Sequence, residues 1–454
     1  MSLWTHSEAE AATLGAASAP FAVDGLSIDT RTLRPGDLFV ALTGGNRDGH
    51  AFVQAAFDAQ AAAALVTHRP EGVTGALLTV AHTQRALEDL ARAARARSNA
   101  KVIAVTGSAG KTTTKEIMRL ALNALGRTHA SAASYNNHWG VPLSLAGLPR
   151  EAEYGVFEVG MNHFGELRNL VGFVRPHVAM VTTVAPAHLE FFGNAESIAD
   201  AKSEIFEGLL PGGAALIPAD NEHSARLIAR AAQAHVGRIC TFGETGEARL
   251  LSIAPDAAGM RVKADILGTA VDCLVGAPGA HIASNVVGVL AAVALMDGDV
   301  LNAAAALKDF SALKGRGARF DAGAIHVIDE SYNANPASMA AALALLGTAK
   351  GRKIAVLGSM LEMGEGADAH HAGLIEPITA NGVDLVFAVG PEMAALWREV
   401  PGALRGAHAQ TARELLPALE NQLRPGDTVL VKGSNGAKMS VVIEALKARK
   451  GEAS

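Results

Sequence analysis

Short apolar runs and apolar positions at helical spacing alternate along most of this 454-residue chain. The sharpest change lies within 101–125, where the β-branched run 102–105 predicts a buried parallel strand. Apolar residues then recur at helical spacing through 117–125, which predicts a helix, and Gly126 is predicted to end it with a positive φ angle. A turn of small residues separates the two elements. This stretch therefore predicts a strand, a tight turn and a helix.

Residues 1–98 predict a first α/β unit. Strands are predicted at Leu26–Asp29, Leu38–Leu42 and Ala63–Val66, and helices at Ala51–Ala59 and Gln84–Ala96. Polar residues concentrate at 29–31 and in the glycine-rich loop 44–50. Loops carry binding residues disproportionately, so both segments are ligand candidates, although a solvated turn has the same composition.

Residues 99–313 predict a central sheet, and residues 314–454 predict a second doubly wound sheet. Central strands are predicted at Gly155–Gly160, Val178–Val184, 214–217 and within 249–275, and a buried helix at His281–Met296. The last strands are predicted at Ala324–Ile328, Lys353–Leu357, Leu385–Val389 and Thr428–Val431. The predicted fold class is therefore α/β in three domains, 1–98, 99–313 and 314–454.

Composition is that of a soluble globular enzyme, with 49% apolar and 19% charged residues. The net charge of −6 offers no basic patch for nucleic acid. The longest apolar stretch, Val286–Met296, is shorter than the roughly 20 residues that span a membrane. The first residues lack the features of a signal peptide, and Cys240 and Cys273 lack metal-ligand spacing. We therefore expect two buried thiols and a cytoplasmic protein.

The turn 106–110 and the following Lys111-Thr112-Thr113 have the pattern of a phosphate-binding loop. Backbone N–H groups of such a turn face phosphate oxygens, because they have no partner within the helix. Lys111 would reach the β- and γ-phosphates, and the Thr112 hydroxyl would bind Mg²⁺. The full G-x-x-x-x-G-K-[ST] pattern has Gly at position 105, where this chain has Val105, and a tight turn opening an ordinary helix is the alternative. The strand, turn and helix together favour ATP or GTP.

Polar side chains also follow other strands of the predicted central sheet. Glu158 and His188 would lie near Lys111, because ligands of open α/β sheets sit beyond the carboxyl ends of the strands. Carboxylate and imidazole bind divalent cations, although each residue alone is as compatible with a structural role. Lys202 lies in an amphipathic stretch, and from the residues alone we predict a solvated lysine on a helix. Asn285 lies on the predicted apolar helix, where a buried amide needs a hydrogen-bond partner. Either the edge of a nucleotide base or the neighbouring backbone would supply it.

Polar loops follow three strands of the last predicted domain and would face one crevice, at 329–335, 358–364 and 432–438. His370 and His371 follow without ligand spacing, and we predict both at the surface. The segment 314–319 is a glycine-spaced basic hinge. Its arginines could reach a γ-phosphate, but a solvated linker would look the same.

These blocks together resemble the Mur ligases, the ATP-dependent enzymes that form amide bonds of the peptidoglycan stem. The resemblance covers nearly the whole chain and rests on VTGSAGKTT (105–113), NNHWGVP (136–142), FEVGMNHFGEL (157–167), VAPAHLEFFG (184–193), AKSEIFEGL (201–209), HIASN (281–285), GRGARF (315–320), DESYNANPASM (329–339), GSMLEMG (358–364) and VKGSNGAKMS (431–440). Val105 is ordinary for the shorter phosphate loop of this family. YNANP and KGSNGAKMS resemble the member that adds D-alanyl-D-alanine, and the Asp-Asn-Pro-Arg motif of the diaminopimelate-adding member is absent.

The resemblance implies four groups of site residues. ATP would be bound by Gly107, Ser108, Ala109, Gly110, Lys111, Thr112, Thr113, Asn285, Arg316, Asp329, Tyr332 and Asn333. A UDP-linked substrate would be bound by Thr30, Arg31, Gly45, Asp48, His50, Asn136 and Asn137, and the dipeptide by Ser434, Asn435 and Lys438. Two Mg²⁺ ions would be held by Thr112, Glu158, His188 and Lys202, with Lys202 open to carbamylation. The implied catalytic residues are Lys111, Glu158, His188, Lys202 and Arg316, with Arg319 as a competitor of Arg316.

The implied reaction joins UDP-MurNAc-tripeptide to D-alanyl-D-alanine through an acyl phosphate formed with ATP. The resemblance implies a monomer with a UDP-substrate domain, a P-loop ATPase-like central domain and a Rossmann-like last domain that binds the dipeptide. Closure about the hinge 313–316 would assemble the site. Two other functions stay open. One is folylpolyglutamate synthase, a relative without a domain ahead of the phosphate loop, and the other is a non-catalytic nucleotide switch, which would need neither Lys202 nor Glu158.

Overall fold

The computed structural model describes residues 2–44, 47–132, 134–186 and 189–449. These residues form three consecutive α/β units, and the main sheets of the units lie within 16–79, 101–275 and 318–432. The α/β fold class and the three-domain order are confirmed. The bounds 1–98, 99–313 and 314–454 stay predictions.

The first unit is a mainly parallel five-stranded sheet packed against the central unit. Its strands, in spatial order, are Ala16–Ala17, Leu77–Thr79, Ala63–Val66, Asp37–Val40 and Gly25–Ser27, and only the first pair is antiparallel. Two small sheets pair Trp4–Thr5 with Ala22–Val23 and Thr43–Gly44 with Arg47–Asp48. The helices are His6–Thr13, Val53–Asp58 and Thr83–Arg97, with a 3-10 turn at Gly49–Phe52. The last helix packs on Gly140–Ala146, so one apolar core is shared by the first and second units.

The central unit has a nine-stranded mixed sheet. Its strands, in spatial order, are Thr128–Ala130, Tyr154–Glu158, Lys101–Thr106, Val178–Val181, Ala214–Pro218, Arg238–Gly243, Ala248–Asp256, Gly259–Ile266 and Thr269–Val275. The first seven are parallel and the last two extend the sheet antiparallel. The α-helices are Lys111–Asn123, Gly140–Ala146, Glu166–Val174, Leu189–Phe192, Ala195–Ser203, Ser224–Gln233, Ala280–Leu295 and Val300–Ala306, with 3-10 turns at Glu204–Gly208 and Leu307–Asp309. Carboxyl ends of the parallel strands thus share one edge, where ligands are expected.

The last unit has six strands, of which only the first pair is antiparallel. In spatial order they are Ala318–Ala322, Ile325–Glu330, Thr428–Lys432, Lys353–Gly358, Leu385–Val389 and Arg405–Ala409. The α-helices are Pro336–Gly347, Ala367–Ala372, Ile375–Ala380, Ala394–Glu399, Ala412–Glu420 and Ser440–Ala448, with 3-10 turns at Gly364–Gly366, Pro391–Met393, Gly402–Leu404 and Asn435–Ala437. Both faces of the sheet carry apolar clusters, as expected when helices cover a parallel sheet.

The predicted role of Gly126 as a helix cap is wrong. The helix Lys111–Asn123 ends earlier, and Gly126 does not have a positive φ angle. The N–H groups of Leu125 and Gly126 instead bond to the Leu122 carbonyl at 2.9 and 3.0 Å. This turn satisfies a free carbonyl of the last helical turn without a left-handed residue.

Burial decides two further expectations. His371 is fully buried, so its predicted surface position is wrong. Cys240 and Cys273 are buried free thiols, as predicted, and burial raises the pKa of each to about 11. Within the part of the chain that the structure describes, we found no helix with the length and apolar character needed to cross a bilayer.

Candidate active site

The predicted phosphate-binding turn lies between the strand Lys101–Thr106 and the helix Lys111–Asn123. Gly107 has a φ angle of 151° and Gly110 one of 80°, values that glycine adopts without steric penalty. A Cβ atom at Gly107 would lie only 1.9 Å from Oγ1 of Thr182. Glycine is therefore required for the turn to run this close to the neighbouring strand, ahead of the free N–H groups of the helix N-terminus.

Side chains beside the turn hold its backbone in place. Thr182 Oγ1 donates to the Ala109 carbonyl at 2.6 Å. Ser108 Oγ donates to the Ala185 carbonyl at 2.8 Å, and the Ser108 N–H is bonded to the Thr183 carbonyl at 2.9 Å. The Ser108 N–H is thus already paired, and the anion-facing donors of the turn are those closer to the helix.

Glu158 ends the strand Tyr154–Glu158 and is 1% exposed. One carboxylate oxygen accepts a hydrogen bond from Thr112 Oγ1 at 2.7 Å, and the other accepts one from Asn136 Nδ2 at 2.7 Å. Ser134 Oγ lies 3.2 Å from Thr112 Oγ1. A hydroxyl and a carboxylate thus meet beside the phosphate-binding turn, and oxygen ligands of this kind suit Mg²⁺.

Two lysines with lowered pKa lie behind this turn. Lys111 Nζ donates to the Gly107 carbonyl at 2.7 Å. Burial lowers the pKa of Lys111 and the charge of Arg316 lowers it further, while the Glu158 carboxylate opposes both. Burial lowers the pKa of Lys202 well below the ordinary lysine range, and the charge of Lys111 adds to this effect. An anionic ligand beside Lys111 would relieve the repulsion between the two lysines.

Lys202 is 2% exposed at the end of the helix Ala195–Ser203, so the solvated-lysine interpretation is wrong. Among residues 2–44, 47–132, 134–186 and 189–449, none hydrogen-bonds or forms an ion pair with its Nζ. A buried amine without a partner is more stable uncharged. Burial and the missing partner thus both act against the charged form of this amine.

The predicted metal ligands are described only in part. His188 lies outside the described residues, as does Gly45 of the predicted UDP-substrate group. Within the described ranges, no three His, Cys, Asp or Glu side chains come together as a metal site. Thr112 and Glu158 are the predicted metal ligands whose oxygen atoms the structure brings within 2.7 Å of each other.

The hinge brings Arg316 over the phosphate-binding turn. Its guanidinium carbon lies 3.8 Å from the centroid of the Tyr332 ring, and one of its N–H groups donates to Ser134 Oγ at 3.1 Å. Arg316 lines the same cavity as Lys111. Arg319 lines a separate surface cavity near the amino ends of the last sheet. The geometry therefore favours Arg316 as the arginine that faces a bound phosphate.

A cavity of about 510 Å³ lies between the central and last units, and we call it the main cavity because the phosphate-binding turn lines it. It is lined by the turn and also by Asn285, Tyr332 and Asn333, all predicted to bind ATP. Asn285 faces Gly110, where a Cβ atom would lie 3.0 Å from the Asn285 amide nitrogen. Asp329 is 1% exposed and does not line this cavity. Its carboxylate accepts hydrogen bonds from the N–H groups of Gly315 and Ser331 at 3.0 and 3.1 Å, which orders the hinge.

A second cavity, of about 780 Å³, opens between the helix Thr83–Arg97 and the central unit. Asn136 and Asn137, both predicted to bind the UDP-linked substrate, line this cavity. The other described members of that group are Thr30, Arg31, Asp48 and His50, and none of these four lines it. Asp48 lies in the same hairpin as Gly44, which approaches the 134–139 segment closely: a Cβ atom at Gly44 would lie 2.7 Å from the Trp139 ring.

His50 has a structural environment. Its Nδ1 lies 2.6 Å from Asp48 Oδ1, and its Nε2 accepts a hydrogen bond from the Thr67 N–H at 2.9 Å. The ring is buried and stacks on His68 with 4.6 Å between centroids. These contacts hold the 47–50 backbone and leave neither ring nitrogen free for a ligand. Arg31 is exposed and pairs with Asp29.

The predicted dipeptide residues lie at one end of the last sheet. Ser434 is buried, accepts a hydrogen bond from the Leu361 N–H at 3.0 Å and reaches the Ala334 carbonyl at 3.4 Å. Asn435 and Lys438 are exposed, and Lys438 has a φ angle of 52°. Ser434 thus joins two of the three predicted loops, while the other two side chains stay available.

Sequence reasoning assigned no role at the site to two side chains that join the units there, or to Lys432 within the last unit. Ser134 links Thr112 to Arg316. Asn335 caps the helix Pro336–Gly347 and also donates to the Ser108 carbonyl at 3.2 Å. Lys432 lines the main cavity, with Glu330 Oε2 at 3.2 Å and the Asn333 carbonyl at 3.0 Å. The signal for Lys432 was its position at the end of an apolar strand run, as for Glu158.

A glycine turn, a buried carboxylate and an arginine around one cavity are the features of an ATP-binding α/β enzyme. Three family profiles match: Mur ligase family, catalytic domain (22–119), Mur ligase middle domain (105–293) and Mur ligase, glutamate ligase domain (315–435). The chain belongs to the Mur ligase family.

Named relatives share most of its length. The chain is 35% identical to UDP-N-acetylmuramoyl-tripeptide–D-alanyl-D-alanine ligase of Escherichia coli, over 94% of this chain and 95% of that protein. It is 32% identical to the ligase of the same name from Rickettsia prowazekii, over 92% and 94%. The crystal structure of MurF from Acinetobacter baumannii superposes with a TM-score of 0.86 at 30% identity, covering 98% of this chain and 99% of that one.

Proposed function

We propose that the protein adds D-alanyl-D-alanine to UDP-N-acetylmuramoyl-tripeptide, with ATP converted to ADP and phosphate. The observation that carries this proposal is the cavity enclosed by the phosphate-binding turn, the hinge Arg316 and the last unit. The names of full-length relatives at 32% and 35% identity supply the substrates.

The proposed reaction has two steps. A terminal carboxylate oxygen of the tripeptide attacks the γ-phosphorus of ATP, the bond to the β-phosphate oxygen breaks, and ADP leaves an acyl phosphate. The amine of D-alanyl-D-alanine then attacks the acyl carbon, phosphate leaves, and the amine loses a proton. Such transfers need positioning and charge neutralisation more than covalent help from the protein.

Residues of this chain supply that positioning. Lys111 and Arg316, which both line the cavity, are proposed to neutralise the transferring phosphate. Asn285, Tyr332 and Asn333 are proposed to contact the nucleoside. Asn136 and Asn137 are proposed to contact the UDP-linked substrate, and Asn435 and Lys438 the dipeptide. Thr30, Arg31 and Asp48 are proposed for the uridine end.

Two Mg²⁺ sites are proposed, one at Thr112 and one at Glu158, His188 and Lys202. The ions would supply charge neutralisation for the phosphates. Neutral Lys202 is proposed to take up carbon dioxide as a carbamate with loss of one proton, which turns a buried amine into an anion. The burial of Lys202, its lack of a described partner and its lowered pKa support this step. We also propose that the protein acts as a monomer in the cytoplasm, where ATP and UDP-linked precursors are available.

Phosphate release with purified protein tests the reaction. We expect release from ATP only when UDP-MurNAc-tripeptide and D-alanyl-D-alanine are both present, with UDP-MurNAc-pentapeptide detected by mass. Release with the tripeptide and a single amino acid would still fit a Mur ligase, but one that catalyses a different addition to the peptide stem. ATP binding without release would favour the nucleotide switch, and glutamate addition to a folate would favour the folate ligase.

Replacing Glu158 with glutamine is expected to weaken Mg²⁺ binding. The amide would keep the size of the side chain but remove the negative charge beside Thr112. Changes even in the outer shell of a metal site cost about 10- to 100-fold in metal affinity, so we expect at least that loss. The measurement is the Mg²⁺ concentration for half-maximal activity. Glu153→Gln is the matched control, since Glu153 is half-exposed just before the same strand and pairs with Arg127. An unchanged Mg²⁺ requirement in E158Q would remove Glu158 from the metal site.

A further inference from the structure

The 358–364 loop follows the strand Lys353–Gly358 and reaches the central unit. The carbonyl of Glu362 accepts a hydrogen bond from the Glu190 N–H at 3.3 Å. Glu362 has a φ angle of 63°, which is uncommon for a residue with a side chain. A loop with this backbone needs contacts from outside itself to stay in one conformation.

Three side chains from separate elements supply those contacts. His371 Nε2 accepts a hydrogen bond from the Met360 N–H at 2.9 Å. Ser434 Oγ accepts one from the Leu361 N–H at 3.0 Å. Ser359 Oγ donates to Glu392 Oε2 at 2.6 Å. Three consecutive residues of the loop are therefore held, each by a different part of the last unit.

His371 is itself held by a second hydrogen bond. Its Nδ1 lies 2.7 Å from the Ala367 carbonyl, so Nδ1 carries the proton and Nε2 is free to accept from Met360. Burial lowers the pKa of His371, which favours this neutral form, while the Ala367 carbonyl and the charges of Glu392 and Asp368 oppose the shift. The neighbouring His370 lowers the pKa slightly further.

We propose that His371 is a positioning residue for the incoming dipeptide, because it fixes the Met360 backbone and with it the 358–364 loop. This inference rests on the proposed function, in which that loop and the 433–438 segment receive D-alanyl-D-alanine. His371 itself is fully buried and does not touch the substrate. Its loss should therefore change the dipeptide KM far more than kcat or the other KM values.

Two substitutions separate its two hydrogen bonds. An asparagine amide reaches the Nδ1 position and keeps the Ala367 contact, whereas a glutamine amide reaches the Nε2 position and keeps the Met360 contact. We expect His371→Asn to raise the dipeptide KM about tenfold, the cost of leaving one buried N–H unpaired. We expect His371→Gln to raise it less than about threefold, with the KM for ATP and for the UDP substrate unchanged. His370→Gln is the matched control.

Equal effects of the two substitutions, or equal changes in all three KM values, would overturn the proposal in favour of a general packing role. If H371N does not fold, the pH profile of H371Q decides. Protonation of His371 would remove the acceptor for Met360, so the wild-type dipeptide KM should rise at acid pH, and this rise should be absent in H371Q. Its persistence would contradict the proposal. A wild-type protein that never uses the dipeptide would instead contradict the proposed function.

Discussion

Replacing Lys202 with methionine is expected to lower ligase activity about 10³-fold. The substitution would remove the carbamate anion that we propose at the metal site, and the loss of one charge there costs several kcal/mol of transition-state stabilisation. The same substitution should make the ligand-free protein more stable. Lys202 is 2% exposed, and burying a polar group without a hydrogen bond costs about 1–3 kcal/mol. Activity and the free energy of unfolding would thus move in opposite directions.

The pH dependence of this stability difference has a definite sign. The pKa of Lys202 is lowered in the folded protein, so between that lowered pKa and the ordinary lysine pKa of about 10.4 the unfolded chain binds more protons than the folded one. Wild-type stability therefore rises with pH in that range, and the advantage of K202M should shrink as the pH approaches about 10.4. Denaturant titrations of both proteins at several pH values measure it.

Lys115 provides the control for burial alone. Its side chain is also fully buried, but its Nζ donates to the Ser131 carbonyl at 2.7 Å and lies 2.9 Å from Glu116 Oε1. Lys115→Met should therefore destabilise the protein by about 1–3 kcal/mol, the opposite sign from K202M.

The proposed carbamate can be detected directly. Label from ¹³C-bicarbonate should appear on wild-type protein and not on K202M. Full activity in K202M would refute the role of Lys202.

Replacing Arg316 with alanine is expected to lower kcat about 10³-fold or more, the range for an arginine that neutralises a transferring phosphate. Arg316 lies against Tyr332 and Ser134 in the main cavity, so the alanine variant leaves the charge of Lys111 unassisted. Single-turnover measurements should show a slow phosphoryl-transfer step with ATP binding weakened far less.

Arg319→Ala is the matched control, because it removes a guanidinium three residues away on the same segment. Arg319 lines a separate surface cavity with Lys350 and His326 and does not line the main one. We expect its kcat within about twofold of wild type, as for a surface substitution. A large loss in R319A together with a small one in R316A would reverse the assignment of the two arginines.

Sequence patterns predicted most of the fold where burial is continuous. The strand Leu385–Val389 has the predicted bounds, because a run of apolar residues flanked by polar ones specifies a fully buried strand. The edge strands Thr128–Ala130 and Arg405–Ala409 were not predicted. Their residues are mixed in polarity, and their pairing depends on neighbours that are distant in the chain.

The site was predictable at strand ends and much less so elsewhere. Glu158 and the phosphate-binding turn follow strands directly, so their position was fixed by the fold class. Ser134 and the inter-unit contact of Asn335 depend on hydrogen bonds across 182 and 227 residues of sequence, which no local pattern encodes. The hydrogen-bond partner of buried His371 is the Met360 N–H. Because almost every residue has such a backbone N–H, the sequence gives no sign of this pairing.

The 134–139 segment contacts side chains from all three units. Ser134 meets the hinge, Asn136 meets Glu158, and Trp139 Nε1 donates to Gln84 of the first unit at 2.8 Å. A ligand that binds against this segment and orders it has already met the entropic cost of ordering. A second ligand that contacts the same segment from another unit then binds without that cost. The affinities of the three substrates are then linked, and linkage is reciprocal: whatever factor ATP adds to the affinity of the UDP substrate, the UDP substrate must add to that of ATP.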